Sequence, residues 1–290
     1  MKHPLLFAIL SLFVAVSCAD TPKQSFEAEV EVTSEVKVAA APTRCGWNAE
    51  MPKLRGDVDS VLVVERGTES GMIYKYSYTF NSRGDVEEWR SFFADGEPCD
   101  RRVYRYDAEG RNTELAWYRH EGPFWQTVRY KYDAEGKMVE SCESTEGSIL
   151  NREIYNYDEQ GRLVKEIFGD GEEENHGRVC YKYDAEGHKI EKLLSYSPSG
   201  ELYSKTQYLY DADGNEAGAD YYDEDGKMWS SVRYSYDSKG NRTEFVDDSW
   251  HHRYLYKYDA QDNVVECKVY DAKTEALCYV VEYTIYYRQK

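Results

Sequence analysis

The chain has 290 residues, 54 acidic against 36 Lys and Arg, and a formal net charge of −18. Such a surface lacks the basic face that phosphate binding needs, which excludes nucleic acid and anionic membrane surfaces as partners. Hydrophobic residues reach only 41% and mean hydropathy is −0.78, thin for a globular core. The 28 tyrosines make up the deficit: each buries a large ring while its hydroxyl reaches water or a polar neighbour, which suits a thin single-layer sheet.

At the N-terminus, residues 1–17 read as an export signal, with Lys2 and His3 leading into the apolar run from Leu5 to Val16, too short to span a bilayer. Ala15-Val16-Ser17-Cys18 resembles the lipobox of bacterial lipoproteins, with Ala15 where Leu is usual. The resemblance implies that Cys18 is lipidated, becomes the new N-terminus and anchors the protein to a membrane; ordinary signal cleavage beside an incidental Cys is the alternative. Residues 18–55 then form the lipidated Cys and a flexible tether of Thr, Pro, Glu, Val and Ala.

Residues 56–290 are a repeat domain. The motif Tyr-x-Tyr-Asp-x-x-Gly closes on the turn pairs Asp107 and Gly110, Asp133 and Gly136, Asp158 and Gly161, Asp184 and Gly187, Asp211 and Gly214, and Asp237 and Gly240. Degenerate copies flank them at Tyr78-Phe80-Asn81-Gly84 and Tyr256-Tyr258-Asp259-Asp262, and the steps from Gly84 to Gly240 are 26, 26, 25, 26, 27 and 26, then 22 to Asp262. Each unit can bury its apolar face only against its neighbours, so the period predicts one elongated array.

The motif reads as a hairpin. Alternation puts both tyrosines on one strand face; Asp opens a turn, and Gly closes it in a positive-φ conformation that costs it nothing. The second strand carries an apolar or β-branched residue three places after the Gly and often Glu four places after it: Glu88, Glu114, Glu140, Glu191, Glu244 and Glu266. Two registers are open. A plain even loop sets the first tyrosine against the apolar residue, Tyr130 with Val139, whereas a type I turn with a Gly bulge sets it against the Glu. Looser turns such as Ala94-Asp95-Gly96 and Asp223-Glu224-Asp225-Gly226 join the units. The predicted fold is all-β: an antiparallel β-hairpin meander of about sixteen or more strands, its twist curling it into an elongated, shell-like or open-barrel-like sheet. Val58–Val64 reads as a first strand, Met72–Phe80 as a second and Tyr279–Tyr287 as a last, the apolar ends sealing the array.

Besides Cys18, six cysteines remain: Cys45, Cys99, Cys142, Cys180, Cys267 and Cys278. Cys267 and Cys278 lie symmetrically about Ala272-Lys273, so across a final hairpin they are either a disulfide or two packed thiols. No Cys-x-x-Cys, His-x-x-x-His or Gly-x-Ser-x-Gly is present, and no pattern calls for a cofactor or metal. His251-His252 and the calcium-loop-like Asp211-Ala212-Asp213-Gly214-Asn215 read as solvated turns, and the two Arg-Gly-Asp tripeptides at Arg55 and Arg83 as chance.

The recurring Tyr-x-Tyr-Asp-x-x-Gly resembles the YD-repeat, or Rhs-repeat, family over about Tyr74 to Glu266. The resemblance implies a β-rich sheet on an exported or cell-surface protein. In large members of the family the sheet forms a shell around a toxin. Nothing here resembles their autoproteolytic segment or toxin domain, which argues against delivery, and short arrays behind a lipobox look like envelope lipoproteins of Bacteroidota-type bacteria. The expected function is a non-enzymatic outer-membrane or surface lipoprotein, its sheet a scaffold for glycan or protein ligands. The alternative is an accessory or shell-type component of an Rhs-like toxin or adhesion system.

Overall fold

The computed structural model describes residues 54–289 except 69, 70, 72, 120, 121, 123, 147, 170–175, 197 and 198. The signal segment, Cys18, Cys45 and His120 lie outside the described residues. The rest is all-β, with no helix among the described residues.

Eighteen strands follow in chain order. They are β1 (Val58–Gly67), β2 (Ile73–Phe80), β3 (Val86–Phe92), β4 (Pro98–Tyr106), β5 (Asn112–Arg119), β6 (Phe124–Tyr132) and β7 (Met138–Thr145). Next come β8 (Ser148–Tyr157), β9 (Leu163–Gly169), β10 (His176–Tyr183), β11 (Lys189–Tyr196), β12 (Leu202–Tyr210) and β13 (Glu216–Asp223). The last are β14 (Met228–Tyr236), β15 (Arg242–Val246), β16 (His251–Tyr258), β17 (Val264–Asp271) and β18 (Leu277–Tyr287).

The chain forms two compact units. In the unit of residues 151–231, β8 to β13 pair consecutively and antiparallel. The other holds 54–150 and 232–289. There β15 to β18 and β2 to β7 are also consecutive hairpins, and β1 lies between β2 and β18, so that Val63 stands opposite Tyr76 on one side and Tyr283 on the other. The apolar end strands therefore seal each other.

The repeat turn is a type I turn with a Gly bulge. At the second repeat the Asp133 N–H donates to the Lys137 carbonyl (2.9 Å) and the Gly136 N–H to the Asp133 carbonyl (3.1 Å). The six motif glycines have φ between 78° and 90°, which a side chain would oppose. Neither open register survives beyond the turn. Tyr132 pairs with Met138 but Lys131 with Glu140, leaving Val139 as an extra bulged residue, and Tyr130 faces Ser141. The same slip recurs at Arg105/Tyr106, Lys182/Tyr183 and Lys257/Tyr258. Two bulges per hairpin, one in the turn and one just past it, increase local twist.

Where a register is shifted, a symmetry argument from sequence fails. The last hairpin turns through Glu275, whose φ is 58°, and its ladder puts Cys267 opposite Val281 and Val269 opposite Tyr279. Cys267 and Cys278 are thus not cross-strand neighbours, and no disulfide joins them, Cys267 being fully buried. The disulfide expectation is corrected accordingly.

One sheet face buries the core. In the larger unit Val61, Val63, Cys267 and Val269 reach 0% exposure and pack with Tyr254, Phe80 and Val281. In the other, Val179, Cys180, Leu193 and Leu194 form a second cluster, with Phe168 against it. Phe168 lies across Gly177, its cross-strand partner: a Cβ there would come within 2.1 Å of the ring. Gly177→Ala must push the ring off its edge-on contact with Tyr196, so it is expected to lower stability by about 1–3 kcal/mol. Urea unfolding checks this, and Phe168→Leu should relieve most of the loss in the double variant.

Candidate functional site

Each turn Asp is first a capping group. Asp158 Oδ1 accepts from the Gln160 and Arg162 N–H groups (3.0 and 2.8 Å) and Oδ2 from Arg162 Nε (2.7 Å). Asp107 and Asp184 take the equivalent bonds from Arg111 and His188, and Asp211 and Asp237 from Asn215 and Asn241, while Asp259 accepts from the Asn263 N–H and from the Tyr287 hydroxyl. Desolvation pushes Asp158 upward, but the bonds and charge of Arg162 outweigh it and hold the carboxyl below the usual range; Asp107 is balanced the same way by Arg111.

The residue after the turn Gly, which sequence reading passed over, also reaches the next repeat. Arg111 lies 5.1 Å from the Tyr132 ring, Arg162 4.9 Å from Tyr183, and the His188 ring stacks on Tyr210 at 4.6 Å. Four of the second tyrosines in turn donate their hydroxyls to a carbonyl just past the preceding turn: Tyr106 to Val86, Tyr132 to Asn112 and Tyr183 to Leu163, all at 2.7 Å, and Tyr210 to Lys189 at 2.9 Å. The signal was present in the sequence, since every complete motif has a hydrogen-bond donor after its Gly. Tyr132→Phe is expected to cost about 1 kcal/mol, the net value of one such bond, with fluorescence-monitored urea unfolding as the check.

The regularly spaced Glu residues also gain partners. All six face the residue between two strand-end aromatics: Thr79–Glu88, Arg105–Glu114, Lys131–Glu140, Lys182–Glu191, Ser235–Glu244 and Lys257–Glu266. Four are ion pairs, at 3.4, 3.0, 2.5 and 2.9 Å. Their cationic ends are exposed, so they contribute little stability and chiefly hold register.

These motif residues build the scaffold, and three of the tyrosines, Tyr78, Tyr104 and Tyr106, also line the candidate site. On the core-bearing face of β1 to β4, beside Val61 and Val63, a groove of about 840 Å³ is lined by Glu65, Tyr74, Tyr76, Tyr78, Trp89 and Tyr104. Cross-strand pairing aligns Tyr78, Trp89, Arg102 and Trp117 in one row. The Arg102 guanidinium sits between two indoles, 4.4 Å from Trp89 and 4.5 Å from Trp117. Tyr76 meets Tyr78 edge-on at 6.1 Å and lies 6.4 Å from Trp89. Burial, above all, pushes the Tyr78 hydroxyl up to about 12. Glu65, 6% exposed, stands opposite Tyr74, and desolvation raises its carboxyl above the usual range. Such a surface can stack flat or cationic groups and accept a hydrogen bond at one end.

Trp89 lines the groove, while Trp125, Trp229 and Trp250 do not and are exposed. Asp211 spends both oxygens on its own turn, and the described residues contain no group of three or more His, Cys, Asp or Glu arranged to hold a metal. In the Arg-Gly-Asp tripeptides, Arg55 pairs with Asp262 (2.6 Å), Asp57 with Arg288 (2.7 Å) and Arg83 with Asp85 (3.1 Å), all internal uses.

The fold and groove define an all-β hairpin-repeat protein with an aromatic-lined groove. No protein-family model matches the chain, and no curated protein matches it significantly. It is similar in fold to a porin-like protein from Bacteroides uniformis, at TM-score 0.45 and 11% identity over 80% of this chain and 99% of that one. A porin-like protein from Bacteroides vulgatus gives 0.37 and 11% over 81% and 100%. The TcdB2-TccC3 structure gives 0.38 and 13% over 73% of this chain and 14% of that one. At these scores none of them assigns an activity.

Proposed function

We propose that the protein is a short, lipid-anchored relative of the YD-repeat family that works in the cell envelope as a non-enzymatic binding scaffold for a glycan or protein ligand. The observation that carries this reading is the groove on β1 to β4, where half-buried tyrosines and Trp89 form an aromatic wall. The turn carboxylates are engaged in capping, which supports a scaffold over a hydrolase. Export and anchoring rest on residues 1–17 and Cys18.

The test has two arms. Cells fed a labelled fatty acid are expected to label the wild-type chain and not Cys18→Ala; equal labelling removes the anchor. The full chain on glycan and envelope-protein arrays is expected to retain a ligand about tenfold more weakly after Trp89→Ala, the loss of about 1.4 kcal/mol. Retention unaffected by that substitution rejects the groove, and turnover of an array member rejects the non-enzymatic role.

A further inference from the structure

Glu65 is the anomaly of the groove. A glutamate that is only 6% exposed normally gives its carboxylate a cation or several hydrogen-bond donors, because an unpaired buried charge costs more than most folds tolerate. Here it faces Tyr74 and Val281 across the ladder, and among the described residues its carboxylate makes neither a hydrogen bond nor an ion pair. The nearby cations are committed: Arg102 between Trp89 and Trp117, Lys75 over the Phe92 ring at 5.3 Å, and Arg66 to Glu282.

We infer that the groove binds a small organic ammonium ion, with Glu65 as its counter-ion and the rings of Tyr74, Tyr76, Tyr78 and Trp89 as its cation-π wall. The inference rests on the binding-scaffold reading and supplies the chemistry of the ligand, or of its headgroup. Three considerations select this class. A positive charge compensates Glu65, which a neutral sugar leaves bare. Aromatic faces attract an alkylated ammonium by about 0.5–2 kcal/mol each, more in a dry site, while offering no oxygen ligands to a bare metal ion. The net charge of −18 draws cations toward the protein and repels anions.

The experiment is calorimetric titration of the full chain with choline chloride at constant ionic strength, beside saturation-transfer NMR of the choline N-methyl protons. Glucose serves as a neutral comparator. Saturable choline binding is expected, weakened about tenfold or more in Glu65→Gln and in Trp89→Leu. Glu65→Gln keeps the shape while removing the charge, so it should fold at least as well; circular dichroism melts of both variants verify this. Absence of saturable choline binding to the folded wild type overturns the inference, as does binding that neither variant weakens. Glucose binding with choline inert overturns it too while leaving the scaffold reading intact, and the array result decides that reading separately.

Discussion

Deletion of residues 54–67 is expected to abolish the native sheet of the larger unit and drive the protein into aggregates. β1 contributes Val58, Val61 and Val63, all at 6% exposure or less. Burying one such side chain stabilises by about 1.5–3 kcal/mol, so their loss together approaches the whole margin of about 5–15 kcal/mol. The deletion also opens two ladders at once, leaving β2 and β18 with bare edges that invite pairing between chains. Val61→Ala is the graded counterpart, with an expected cost of about 2–3 kcal/mol from lost transfer energy and the cavity left behind. Size-exclusion chromatography and urea unfolding read both results. A soluble, cooperatively melting monomer after the deletion would show that β1 is an appendage of the sheet.

The second large effect is acid lability with a maximum in stability near pH 5. Asp107, Asp158, Asp184, Asp211, Asp237 and Asp259 are all held below the usual carboxylate range, the bonds from their turn partners, and for Asp259 first the Tyr287 hydroxyl, outweighing any desolvation. A depressed native pKa contributes stability that is present above the unfolded value of about 3.9 and lost as pH falls through the native one. Glu65 and Glu166 are raised by burial and act in the opposite sense: their charged forms cost stability near neutrality, and protonation relieves that cost as pH falls toward about 4.3. Urea midpoints should therefore rise slightly from pH 7 to 5 and then drop steeply toward pH 3. Asp158→Asn keeps the backbone cap, as Asn81 does naturally for Arg83 and Asp85, but loses the Arg162 ion pair and should blunt the acid limb. A midpoint flat to pH 3 would show that the turn carboxylates do not stabilise the fold.

Asp and Gly at fixed spacing specify a turn through bonds spanning five residues, so every repeat hairpin was legible in the chain. The linking turns were legible for the same reason, and Asp223–Lys227 closes with the same two bonds as the repeat turn. The spacing of Glu was also visible, though not its partner. That partner depends on a bulge at residues such as Val139, which trades a ladder position for twist and is decided by how the next strand packs. The donor after each Gly was overlooked because its second contact lies one repeat away.

By itself, then, the sequence determined an all-β array of antiparallel hairpins, its turn chemistry and its period, because these arise from contacts between near neighbours. Tertiary structure alone decided the rest: the place of β1 between β2 and β18, the separation of Cys267 from Cys278, and the assembly of Glu65 with Tyr78, Trp89 and Arg102 in one groove. Those pairings join residues up to 229 positions apart, as Val58 and Tyr287 do, and their energy depends on burial and register that no local pattern records.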